Sequence, residues 1–159
     1  MTFPISDYES DYVNDLKKNL SDKFLIHEPK NFFILSFTIN QIIYRPTVMH
    51  FDWFHMYYSN KDSFFKTVIK FFFFIVDVLI LRIFQKNIYI SLHNIKPHDS
   101  KYRTIDYIAF RLFLNSAKSI RAFSNYSKKV ISRFYKIKEE KINVYYESIY
   151  SSERSASNK

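Results

Sequence analysis

Asn87-Ile88-Tyr89-Ile90-Ser91-Leu92-His93-Asn94-Ile95-Lys96-Pro97-His98-Asp99 decides how this chain is read. Its first half, residues 87–92, is β-branched and aromatic and predicts a short buried strand; an amphipathic helical pattern begins near Tyr102. Two histidines, an amide and a carboxylate therefore gather where a strand ends and a crossover begins. In open α/β sheets ligands bind at the carboxyl ends of the strands, so the stretch sets both the fold class and the place to look for chemistry.

The pattern repeats upstream. Residues 47–51, after Pro46, predict another short strand, and it ends in His50-Phe51-Asp52-Trp53-Phe54-His55. As parallel neighbours the two strands would put His50, Asp52 and His93 on one rim. Further out, residues 7–20 predict a helix with acids early and Lys17-Lys18 late, as the helix dipole prefers. Residues 24–26 predict a strand, Asn31 a helix cap, and 32–44 a helix ended by Arg45-Pro46.

Downstream, helices at 102–115 and 125–135 alternate with strands at 119–124 and 141–146. The first of these helices would bury Ile105, Ile108, Ala109, Leu112 and Phe113, and Ser124 or Asn125 would cap the second. Such alternation implies right-handed βαβ units and a mostly parallel sheet with helices on both faces.

Residues 64–84 pose a choice between membrane and core. A spanning helix wants about 20 nearly uncharged residues, and Lys66, Lys70, Asp77 and Arg82 interrupt this run. The expectation is a helix packed on the sheet, with a membrane-surface helix as the alternative. Residues 1–20, rich in Asp, Glu and Tyr, do not read as a secretory signal.

With 159 residues the chain predicts one domain over residues 1–150, followed by a polar, Ser-rich tail at 151–159 expected to be disordered. There is no cysteine, which excludes thiol chemistry and suits a cytoplasmic setting. Glycine is absent as well, against an average near 7%, so glycine-rich phosphate loops and dinucleotide fingerprints are excluded. Formal charge is +9, divided as −2 over residues 1–30, +3 over 31–100 and +8 over 101–159. A basic last third, with Lys128, Lys129, Arg133, Lys136 and Lys138, suits an anionic surface or simply a solvated face. The pairs His50/His55 and His93/His98 lie on loops at spacings without metal-site logic, so no metal is expected.

The order of these motifs resembles the amino-terminal half of a GT-B glycosyltransferase of the family-4 type. The likeness is carried by His50-Phe51-Asp52-Trp53, by His93-Asn94-Ile95-Lys96-Pro97-His98, by Ala117 through Ser124, by Ser127 and Ile131, and by Ile142-Asn143-Val144-Tyr145-Tyr146. It implies an α/β, Rossmann-like open sheet flanked by helices, one half of a GT-B fold, that serves as the acceptor-side domain. On that mapping His93 and Asp52 are the catalytic candidates, and His50, Asn94, Trp53 and His98 contact the acceptor.

The resemblance further implies transfer of a sugar from a nucleotide-sugar donor to a glycan or lipid-linked acceptor. No cofactor would sit in this chain. The nucleotide sugar, as co-substrate, would be held mainly by a carboxyl-terminal donor-binding domain or separate subunit, leaving the isolated chain inactive. Two departures accompany the likeness: the 4–8 region lacks the glycine usual after the first strand, and the nucleotide-sugar domain with its acidic E-x7-E motif is expected to be missing from this chain, Tyr145-Tyr146-Glu147-Ser148-Ile149 standing where relatives usually turn on Pro-His-Gly. The expected location is cytoplasmic and peripheral on the inner face of the membrane. The competing reading is a non-enzymatic basic α/β module that binds an anionic membrane or nucleic acid; no nucleic-acid motif supports the second of these partners.

Overall fold

Ile88-Tyr89-Ile90-Ser91 alternates apolar and polar side chains, and that period-two pattern is the plan of the whole sheet. The computed structural model describes residues 2–3, 22–23, 25–27, 30, 34–52, 54–60, 62–85, 87–96 and 101–145. Five parallel strands lie side by side in sequence order: β1 (Thr2–Phe3), β2 (Met49–Phe51), β3 (Ile88–Ser91), β4 (Ser119–Ala122) and β5 (Ile142–Val144). Helices α1 (Ser36–Tyr44), α2 (Phe64–Phe84), α3 (Arg103–Ser116) and α4 (Asn125–Tyr135) occupy the connections. The expected open, parallel α/β sheet flanked by helices is what the chain forms.

The register aligns Phe51, Ile90, Ile120 and Ile142 across four strands. These residues and Met49, Ile88 and Ala122 are buried beneath the helices. Phe113 of α3 is the centre of that layer, with ring centroids 4.7–5.7 Å from Phe37, Phe51, Phe54 and Phe74. The four helices thus share one face. A strand order that never reverses requires it, because each right-handed crossover then returns on the same side. Helices on both faces were expected; among the described residues they cover one only.

The other face carries the opposite parity, His50, Tyr89, Ser91, Ser119, Arg121 and Asn143, and is polar. Parallel sheets ordinarily read as continuous apolar runs because both faces are buried, so this alternation marks the second face as different in kind.

Several expectations need correction. Residues 25–27 form no strand, and Leu25 is exposed; so short an apolar run is held extended only where a neighbouring strand pairs with it. Helix α1 starts at Ser36 instead of 32, after Leu35 in the left-handed conformation. In α3 Ile108 is exposed, while Asp106, Phe110 and Leu114 join Ala109 and Phe113 in the interior. The helix at 7–20, the cap at Asn31, Trp53, His98 and the tail at 151–159 lie outside the described residues.

The charges that argued against a membrane span in α2 have local explanations. Asp77 is buried and caps α1, accepting hydrogen bonds from the backbone N–H of Phe37 (2.8 Å) and Thr38 (2.7 Å) and from the Thr38 hydroxyl (2.6 Å). Lys70 donates to the carbonyls of Met56 (2.7 Å) and Ser59 (3.1 Å), fastening the loop after β2 to the helix. No described helix is long and apolar enough to cross a membrane.

Candidate functional site at the strand ends

Because side chains alternate, the residues that follow β2 and β3 continue the polar face: Asp52 two after His50, and His93 two after Ser91. Their heads converge. His93 Nε2 lies 3.4 Å from Asp52 Oδ1, and His50 Nδ1 lies 3.7 Å from Asp52 Oδ2. On its other side, His50 Nε2 is 2.9 Å from the Ser91 hydroxyl. The result is a chain of polar groups, Ser91, His50, Asp52 and His93, running from inside the sheet to its rim.

Burial alternates along it. The Asp52 side chain is 2% exposed, whereas those of His50 and His93 are 22% and 20% exposed. A carboxylate so enclosed is costly unless cations or donors face it, and His93 Nε2 supplies one at Oδ1. Burial lowers the pKa of His50 below 6.5; Asp52 opposes that shift, and Arg121 and His93 reinforce it. His50 is therefore neutral near pH 7. Its Nδ1 and Asp52 Oδ2 face one another without a hydrogen bond, two buried polar atoms with capacity to spare.

The next strand completes the wall. Phe123, just after β4, stacks on the His93 ring with centroids 4.6 Å apart, and the Arg121 guanidinium lies over Phe123 (4.9 Å) and Tyr145 (5.5 Å). The loop carrying His93 is pinned from the helix layer, where the Tyr135 hydroxyl donates to the Ile95 carbonyl at 2.6 Å and Lys96 lies 4.6 Å over the Phe134 ring.

Of the residues expected at the site, His50, Asp52 and His93 come together, and Asn94 follows half-buried on the same loop. Trp53 and His98 lie outside the described residues. His55 opens a short 3-10 turn, His55–Tyr57. Sequence reading passed over Ser91, Arg121, Phe123 and Tyr135, whose roles come from strand register and helix packing. Alternation was the available signal, since Ser91 and Arg121 share the parity of His50 and Asp52. Among the described residues no group of three or more His, Cys, Asp or Glu is arranged to hold a metal ion.

Fold and rim together define an open, all-parallel α/β domain with a histidine–carboxylate cluster at its strand ends. No family model, no curated protein and no solved structure matches the chain.

Proposed function

We propose that this chain is the acceptor-side domain of a sugar transferase, working at the membrane surface with a donor-binding domain or subunit that holds the nucleotide sugar. The observation that carries the reading is the Asp52–His93 pair: an enclosed carboxylate behind an imidazole that reaches the rim, 3.4 Å apart. That is the arrangement of a base and its orienter.

His93 is the catalytic residue in this scheme and Asp52 positions it. The acceptor hydroxyl gives its proton to His93 as its oxygen bonds to the anomeric carbon, and the nucleotide diphosphate leaves with the electron pair of the broken glycosidic bond. Asp52 stabilises the imidazolium formed, as a buried carboxylate does for a partnered histidine. Arg121 adds positive charge beside the acceptor, while His50 and Asn94 offer hydrogen bonds to sugar hydroxyls. The resemblance to family-4 GT-B amino-terminal halves supports the assignment through the residues that carry it.

The test is acceptor binding by the intact chain, followed through the imidazole resonances of His50 and His93 in long-range proton–nitrogen spectra. A panel of oligosaccharides and lipid-linked sugars is titrated, with nucleotide sugars as the comparison. Saturable shifts of His93 and His50 with a glycan are expected, the His50 shift weakened in His93→Ala; nucleotide sugars should bind only weakly. Tight nucleotide-sugar binding without any glycan response would overturn the assignment of this half to the acceptor.

A further inference from the structure

Helix α2 has two apolar faces. Phe74, Val78 and Leu81 point into the core, and on the opposite side Phe65, Val68, Phe72, Leu79 and Ile83 recur at helical spacing and stand in solvent. Phe65, Phe72 and Ile83 are 73%, 62% and 71% exposed. A helix packed on a sheet needs one apolar stripe; a second, about 27 Å long at 1.5 Å per residue, calls for a partner.

Charge identifies that partner. The only carboxylates on the four helices are Asp77 and Asp106, both buried, and every other charged side chain on them is Lys or Arg. Lys66 and Arg82 are exposed and lie on either side of the stripe. Beside it, a groove of about 280 Å³ between α1 and α2 is lined by Ile42, Ile80, Leu81 and Phe84, with Arg45 among its walls.

We propose that the outer face of α2 lies in the plane of an anionic lipid bilayer, with Phe65, Phe72 and Ile83 among the acyl chains and Lys66 and Arg82 at the headgroups. An apolar stripe on a layer of helices whose exposed charges are all basic is the composition of an in-plane membrane helix. A second copy of the chain fits poorly, because two such faces would bring cations together with no exposed helical carboxylate to pair them. Nucleic acid would leave the stripe unused. The inference rests on the membrane-surface part of the reading above and names the face that makes the contact; sugar transfer does not enter it.

The experiment is flotation of the intact chain with vesicles of phosphatidylglycerol and phosphatidylcholine, against phosphatidylcholine alone. Binding to the anionic vesicles is expected, weakened about tenfold or more by Phe72→Ser with Ile83→Ser, at unchanged melting temperature because both side chains already face solvent. Lys66→Gln with Arg82→Gln should weaken it several-fold and reduce its salt dependence. A Phe72→Trp variant should shift its emission to the blue on binding. Equal binding to both vesicle types, no binding, or serine variants that bind as well as the parent would overturn the proposal. So would a dimer in sedimentation velocity that the serine substitutions dissolve, since the stripe would then be a self-interface. Neither donor nor acceptor is present, so failure here leaves the transferase reading to the glycan titration.

Discussion

The hydroxyl of Tyr135, buried on α4, donates to the carbonyl of Ile95 at 2.6 Å, so a helix on the covered face of the sheet holds the loop on which His93 sits. Tyr135 also packs its ring against Phe110 and Tyr107, at centroid distances of 5.5 and 5.8 Å, so the hydroxyl can be removed without a cavity. Tyr135→Phe should cost about 1 kcal/mol of stability in urea unfolding. Amide exchange at residues 93–96 should accelerate while strand β3 stays protected. Unaltered exchange in that loop would mean that the bond does not set its position.

Asp77 accepts three hydrogen bonds at the start of α1, two of them from backbone N–H groups that the helix itself cannot satisfy. Asp77→Ala should destabilise the fold by about 2–4 kcal/mol, combining a lost cap with buried unsatisfied donors. Asp77→Asn, which keeps one acceptor oxygen, should cost less. Denaturant midpoints of the two variants check the order. Equal losses would locate the effect in side-chain packing.

That same residue shows where sequence and structure part. The start of α4 was legible because its cap is local: Ser124 accepts from the backbone N–H of Ser127 (3.0 Å), three residues on. The start of α1 was not, because its cap comes from Asp77 on another helix. The buried stripe of α3 was read one position off at Ile108, since which side of a helix faces the sheet depends on neighbours such as Phe54 and Tyr135 that meet Phe110. Likewise His50, Asp52 and His93 stand out as strand-end residues, whereas Ser91 and Arg121 become partners only once the register of β2, β3 and β4 is known.

A chain without glycine must place other residues in the left-handed region, and Leu35, Arg45 and Lys136 are there with φ of 54°, 44° and 55°. Arg45 and Lys136 close α1 and α4, the position that glycine usually fills. Lys136 is exposed, so little besides backbone strain distinguishes it. Lys136→Gly should therefore raise stability by up to about 1 kcal/mol, relief of the Cβ clash outweighing the added freedom of the unfolded chain. A lower melting temperature would show that the Lys136 side chain contributes more than its backbone costs.

His50 gives the fold a pH dependence. Its pKa is lowered in the folded state by burial, against the pull of Asp52 and with Arg121 and His93 adding to the effect. The unfolded chain therefore takes up a proton near pH 6.5 that the folded chain refuses. The associated stability is complete above 6.5 and is lost as pH falls toward the folded value, at up to about 1.4 kcal/mol per pH unit. Urea unfolding at pH 5, 6, 7 and 8 should show a steeper acid loss in the parent than in His50→Gln. Parallel profiles would mean that His50 is protonated equally in both states.

The Asp52–His93 pair separates chemistry from architecture. In an enzyme reconstituted with its donor-binding partner, His93→Ala should lower turnover about 10²-fold or more if the imidazole takes the acceptor proton. Asp52→Asn keeps the shape but removes the charge that holds the imidazolium, so it should also lower turnover. Melting temperatures measured on the same samples distinguish the outcomes. If either variant loses stability while each folded molecule keeps full activity, the pair is a buried ion pair of the sheet edge and not the site of proton transfer.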